Sequence, residues 1–144
     1  THLWGKPGNP DRFNYQPHSN IARVYQISLA IQKAEELIAK YACPAFIMGD
    51  FNAGIDSACM NEVAKLGWTE AHDLCTGERD ETKGHHFCAP DGFERGEPGV
   101  YHDALDHIIV KNGSAVAIQS YKRLNDAWFD CVSDHYPLYV DIKI

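Results

Sequence analysis

The stretch Pro44-Ala45-Phe46-Ile47-Met48-Gly49-Asp50-Phe51-Asn52-Ala53-Gly54 sets four apolar side chains in a row and then breaks at a glycine followed by an acid. An apolar run of this length between a proline and a glycine reads as a short strand buried on both faces. Asp50 and Asn52 then fall on the loop at its C-terminal end, where sheets gather active sites. Upstream, Val24, Ile27, Ile31, Ala34, Ile38 and Tyr41 recur three and four apart, which predicts one buried face of a helix. Asn20 is the expected N-cap of that helix and Pro44 its stop. Downstream, Ser57 to Leu66 predicts a second helix, capped by Ser57 and ended at Gly67. Residues 76–99 carry too much Gly, Pro and charge for regular structure, apart from one candidate strand from His86 to Ala89. Leu105 to Lys111 and Ala115 to Arg123 read as strands joined by a hairpin turn at Asn112-Gly113. Tyr136 to Ile144, apolar at Leu138, Val140, Ile142 and Ile144, reads as a half-buried strand. Helix, strand, helix and then strands make an α/β (α+β) layered domain.

The chain has 144 residues, 44% of them hydrophobic and 23% charged, enough for a core in a single domain spanning residues 1–144. No stretch approaches the roughly 20 apolar residues of a membrane helix. The net charge of -7 disfavours binding to long duplex DNA by broad phosphate neutralisation, although a cation can still mediate contact with phosphates. Thr1-His2-Leu3-Trp4 lacks both an initiator Met and a signal-peptide pattern, so the chain reads as starting mid-protein. Five widely spaced cysteines indicate neither a disulfide framework nor a zinc module, and they favour a reducing, intracellular compartment.

Three acidic motifs sit at strand ends: Gly49-Asp50-Phe51-Asn52, Leu105-Asp106-His107-Ile108 and Ser133-Asp134-His135-Tyr136-Pro137. Together they offer metal ligands, a general base and a donor for a developing oxyanion, which is what metal-assisted hydrolysis needs. With Thr1-His2-Leu3 and the pair Arg23 and Gln26, this ordered set resembles the endonuclease/exonuclease/phosphatase, or DNase I-like, superfamily. The motifs of that superfamily run T-H-L, R-x-x-Q, G-D-F-N, D-H/Y-I and S-D-H-x-P. The resemblance implies half of a four-layer sandwich, with a mostly antiparallel sheet and flanking helices, because the family domain is about twice this length. It also implies that the family's first half, carrying an Asn and a metal-binding Glu, is not within these residues, and leaves open whether the parent protein has it upstream of Thr1.

Carried over to these residues, the resemblance implies a phosphoesterase that attacks phosphodiesters or phosphomonoesters in line with water. Asp134 would bind Mg²⁺, with Mn²⁺ as a substitute and Asp50 and Asn52 as further ligands. His135 would activate water or orient the phosphate, with Asp106 fixing its tautomer. Asp50 would position or deprotonate the water, and Asn52 would donate to a phosphate oxygen. His2 would contact the phosphate or protonate the leaving oxygen. Arg23, Gln26 and His86 would bind substrate, the last from a Thr82 to Phe87 loop that departs from the family's T-x-H-x-F pattern. The substrate class stays open between nucleic acid, phospholipid and small molecule, and the T-H-L-W opening leans towards deadenylase-like and sphingomyelinase-like members.

Plainer readings stand beside these. Arg23 could be a structural ion-pair partner of a loop acid, and His18, His72, His102 and His107 read as structural or exposed. Trp4, Trp68 and Trp128 read as core or rim aromatics. A half-domain could also be an inactive or partner-dependent binding module whose sheet exposes an apolar face, covered by the missing half or by self-association.

Overall fold

The computed structural model describes residues 1–5, 11, 15–80, 104–124, 128–129, 133 and 135–144. Helix α1 spans Ser19–Tyr41 and buries Ile27, Ile31 and Ala34, as the three-four spacing predicts. The predicted face is wrong at its ends. Tyr41 is exposed, Val24 is half-buried, and the charged Arg23 is buried instead. The cap also differs: His18 occupies that position without a side-chain cap, and Asn20 lies inside the helix, where its side-chain Oδ1 accepts from Arg23. Ala42 ends the helix in the left-handed conformation, its N–H bonded to Ile38 O, and Pro44 follows two residues later. Helix α2 (Ala58–Lys65) matches its signals, with Ser57 Oγ accepting from Met60 N at 3.2 Å and Gly67 at φ 75°. A cap of this kind contributes about 1 kcal/mol.

Strands β1 (Phe46–Asp50), β4 (Asp106–Lys111) and β2 (Trp68–Glu70) form one antiparallel sheet in the order β1-β4-β2. Helix α3 (Ala71–Leu74) follows β2 and leads into β3 (Cys75–Arg79). Strands β3, β5 (Ala117–Arg123) and β6 (Leu138–Lys143) form a second sheet in that order, β3 parallel and β6 antiparallel to β5. The expected hairpin is therefore not one. A turn does occupy Asn112-Gly113, with Ser114 N bonded to Lys111 O, but it carries the chain from one sheet to the other. Strand β3 also falls inside the stretch expected to be irregular, held by β5 rather than by any apolar pattern of its own. The candidate strand at 86–89 lies outside the described residues.

The first sheet is apolar on both faces because each face has a partner. Ile47 and Ile109 point to the side of α1 and α2 and join Ile27, Ile31, Val63 and Trp68 in one cluster. Phe46 and Ile108 point the other way and meet Ile118, Tyr121, Leu138 and Val140 of the second sheet. Each such side chain contributes roughly 1.5–3 kcal/mol when buried. The expectation that β1 is buried on both faces fails at one residue. Met48, in the middle of the strand, is 52% exposed.

Candidate active site

Residues 1–3 lie along the free edge of β1. Leu3 N donates to Asp50 O at 2.9 Å, the Thr1 amino group donates to Met48 O, and His2 bridges Asp50 in parallel register. Gly49 makes the approach possible. It sits at φ 136°, and a Cβ there would lie 1.9 Å from Thr1 O. The segment is also held from behind by α1, whose Gln26 Oε1 accepts from Trp4 N at 2.8 Å. Arg23 donates to Trp4 O at 3.2 Å and Gly5 O at 2.9 Å. Both side chains thus hold the main chain of residues 4 and 5. Burial lowers the Arg23 pKa from its ordinary value, while Cys59 and Asp50 act in the opposite direction.

Asp50 and Asp106 are direct cross-strand partners at the end of the first sheet, so both carboxylates rise on one face. An imidazole stands on the outer side of each. His2 Nε2 is 3.4 Å from Asp50 Oδ2, and His135 Nδ1 is 2.6 Å from Asp106 Oδ2. The row reads His2, Asp50, Asp106, His135. Its acids are mostly shielded, at 18% and 17% side-chain exposure, and its imidazoles are more open, at 75% and 30%. With Asp106 accepting from Nδ1–H, the neutral His135 ring keeps Nε2 as its basic nitrogen. Beside this pair opens a cleft of about 440 Å³, walled by Met48, Ile108, Phe129 and Leu138.

Asn52 takes the left-handed conformation at φ 50°, which folds its amide back over Asp50. Its main-chain N–H donates to Asp50 Oδ1 at 2.6 Å. Its side-chain Nδ2 donates to Asp50 Oδ2 and Leu3 O, each at 3.1 Å. The side-chain amide of Asn52 thus ties the Asp50 carboxylate to the main chain of Leu3. Asp134 and His86 lie outside the described residues. Among the described residues, no group of three or more His, Cys, Asp or Glu side chains gathers closely enough to hold a metal ion.

His107 was read as structural or exposed, and the structure gives it a specific place. It is fully buried, its Nδ1 bonded to Glu70 Oε1 and its Nε2 2.7 Å from Ala53 O, in the turn that carries Asp50 and Asn52. The signal was available in the alternation of β4, which sets His107 on the face of buried Ile109. Glu70 gave none, since its strand has three residues.

No protein-family profile matches the sequence, and no curated protein is a significant match. Solved structures do match. The mannosyl-6-phosphatase of Bacteroides thetaiotaomicron aligns over 86% of this chain and 46% of its own, with 24% identity and a TM-score of 0.68. The chain has the fold of half an endonuclease/exonuclease/phosphatase domain. An endonuclease/exonuclease/phosphatase from Bacteroides vulgatus aligns over 87% of this half-domain and 45% of its own chain (20% identity, TM-score 0.67). Truncated Caenorhabditis elegans TDP2 aligns over 95% and 50% (18% identity, TM-score 0.57). The half-domain therefore spans about half the length of the solved structures it matches. Among the described residues, no helix is long and apolar enough to cross a membrane.

Proposed function

We propose that this chain is the C-terminal half of a Mg²⁺-dependent phosphoesterase domain. The observation that carries the reading is the row of two carboxylate-backed imidazoles, His2 on Asp50 and His135 on Asp106, at the end of one sheet. In-line hydrolysis needs a proton acceptor for the attacking water and a proton donor for the leaving oxygen, one on each side of the phosphorus. His135, whose Nδ1–H is held by Asp106, takes the proton of the water at Nε2. His2, at the other end of the row, donates to the oxygen released as the P–O ester bond breaks. Asn52 donates one hydrogen bond to each Asp50 oxygen and leaves each a further lone pair, with which Asp50 would orient water and cation.

The donor set suits Mg²⁺, which takes hard oxygen ligands from a few side chains and completes its shell with water and substrate. Asp50, Asn52 Oδ1 and Asp134 would hold it, with Mn²⁺ as a substitute. When bound, it would neutralise charge on the phosphoryl oxygens. The substrate is a phosphate ester, whether on a nucleic acid, a phospholipid or a small molecule.

The test is hydrolysis of bis(p-nitrophenyl) phosphate by the 144-residue chain in Mg²⁺ or Mn²⁺, beside folded Asp106→Asn and His135→Ala variants. Metal-dependent turnover lost by about 100-fold or more in both variants supports the reading. Turnover that survives both removes the row from the chemistry.

A second reading, a half-domain that needs a partner, is favoured by Met48, exposed on the wall of the cleft, and by the half-length match to solved structures. Its occupant is the other half of the domain or a second copy of this chain. Light scattering that shows a monodisperse monomer, with full turnover in the absence of any partner, rules that reading out.

A further inference from the structure

His107 lies on the central strand of the first sheet and reaches both neighbours. Through Nδ1 it meets Glu70, the last residue of β2 on one side. Through Nε2 it meets Ala53 O, in the turn that leaves β1 on the other. All three groups are buried, and the Phe51 ring packs over the imidazole with centroids 5.1 Å apart. The chemistry of the row uses neither Glu70 nor His107.

We propose that Glu70 and His107 are positioning residues that brace the main chain of the Asp50–Ala53 turn and so aim Asp50 and Asn52. Beyond the bonds to Leu3 and the one from Asn52 Nδ2 to Asp50 Oδ2, three hydrogen bonds hold this turn. Phe51 N donates to Leu105 O at 2.8 Å, and Asn52 N donates to Asp50 Oδ1 within the turn itself. The third, at Ala53 O, is the one made by a side chain from another strand. Asn52 is a non-glycine residue in the left-handed region, a conformation that persists only when its surroundings hold it.

The energetics of the pair point the same way. Glu70 Oε2 is buried with no hydrogen-bond partner among the described residues, so the carboxylate is kept at a cost that two apolar residues would avoid. A pair retained at such a cost fits a role in placing the turn. Burial pushes the His107 pKa down, but hydrogen bonding and charge from Glu70, with help from Ala53 O and Asp106, raise it overall. The charged ring donates from both nitrogens at once, to Glu70 and to Ala53 O.

The inference rests on the reading of this turn as part of a phosphoesterase site, and two readouts on the full chain separate the two claims. His107→Phe keeps a ring and removes both bonds, Glu70→Ala removes the acceptor, and Glu70→Gln keeps a hydrogen-bonding partner for Nδ1. Amide exchange at Phe51 and Asn52 speeds up about 10-fold in the first two variants, while the α1 amides keep their rates and Glu70→Gln recovers most of the loss. Turnover of bis(p-nitrophenyl) phosphate shows kcat down by about 100-fold with KM within about 2-fold, again largely recovered in Glu70→Gln. If His107→Phe does not fold, Glu70→Ala reads the same tie. Parental exchange at Phe51 and Asn52 in folded variants overturns the brace, whatever the turnover. Faster exchange with an unchanged kcat overturns the positioning role. Faster exchange in a chain whose parent shows no metal-dependent turnover upholds the brace and counts against the phosphoesterase reading alone.

Discussion

Replacing Gly49 with alanine puts a methyl group where the main chain of Thr1 already runs. The new Cβ would lie 1.9 Å from Thr1 O, 2.6 Å from Thr1 N and 2.8 Å from Thr1 C. These are backbone atoms, so no side chain can rotate away to make room. Relief requires residues 1–3 to leave the edge of β1, which loses the Leu3 N to Asp50 O bond and the burial of Leu3. The bond is worth about 1 kcal/mol, and the leucine roughly 1.5–3 kcal/mol. Alanine at φ 136° adds strain of about 1–3 kcal/mol. Gly113→Ala is the matched control, because Gly113 also has a positive φ, 76°, but a Cβ there meets nothing within 4 Å. Urea unfolding followed by circular dichroism should show Gly49→Ala losing about 4 kcal/mol and Gly113→Ala only about 1–2 kcal/mol. Two variants within about 1 kcal/mol of each other would refute the steric argument.

Cysteine chemistry and pH supply the other predictions. Cys59 is buried, and desolvation pushes its thiol up to about 11 against the pull of Arg23, so iodoacetamide at pH 8 should label exposed Cys43 and spare Cys59 until urea is added. Peptide mapping by mass spectrometry reads the result, and equal labelling would contradict it. His107 has a folded pKa above its ordinary value of 6.5, so its contribution to stability is full below that value and is lost as pH rises through the raised one. The urea midpoint should therefore fall as pH rises from 6.5 through the raised pKa, and Glu70→Gln should flatten that fall. A midpoint that rises over this range has the wrong sign for the argument.

Periodicity and local signals revealed the elements that own their signal. Helix α1 was legible because Ile27, Ile31 and Ala34 share a face, and α2 because Ser57 and Gly67 mark its ends. What failed depends on contacts far along the chain. Asn112-Gly113 specifies a turn, but whether the flanking strands pair is decided by β2, β3 and β6, which occupy the available edges. Strand β2 is too short to show a period, and β3 is mostly exposed and exists through its pairing with β5. At the site, the motifs pointed to Asp50, Asp106, His2 and His135, and the structure brings these four into one row. The motifs did not reveal that Arg23 and Gln26 hold the main chain of residues 4 and 5, because an arginine or glutamine that binds a carbonyl or an amide has no sequence mark of its own. Glu70, 37 residues from His107, could be paired with it only by seeing the sheet.

The contact between His135 and Asp106 crosses from one sheet to the other. Asp106 opens β4 of the first sheet, while His135 sits just ahead of β6 in the second. The packing of Ile108 on Ile118, Tyr121 and Leu138 thus acts as a gauge block that sets the spacing of this pair. An interior pressed together at this density moves in discrete steps rather than by smooth compliance. Trimming a methyl group from that layer would therefore register first as a slipped distance between Asp106 and His135, in a protein whose secondary structure still looked intact.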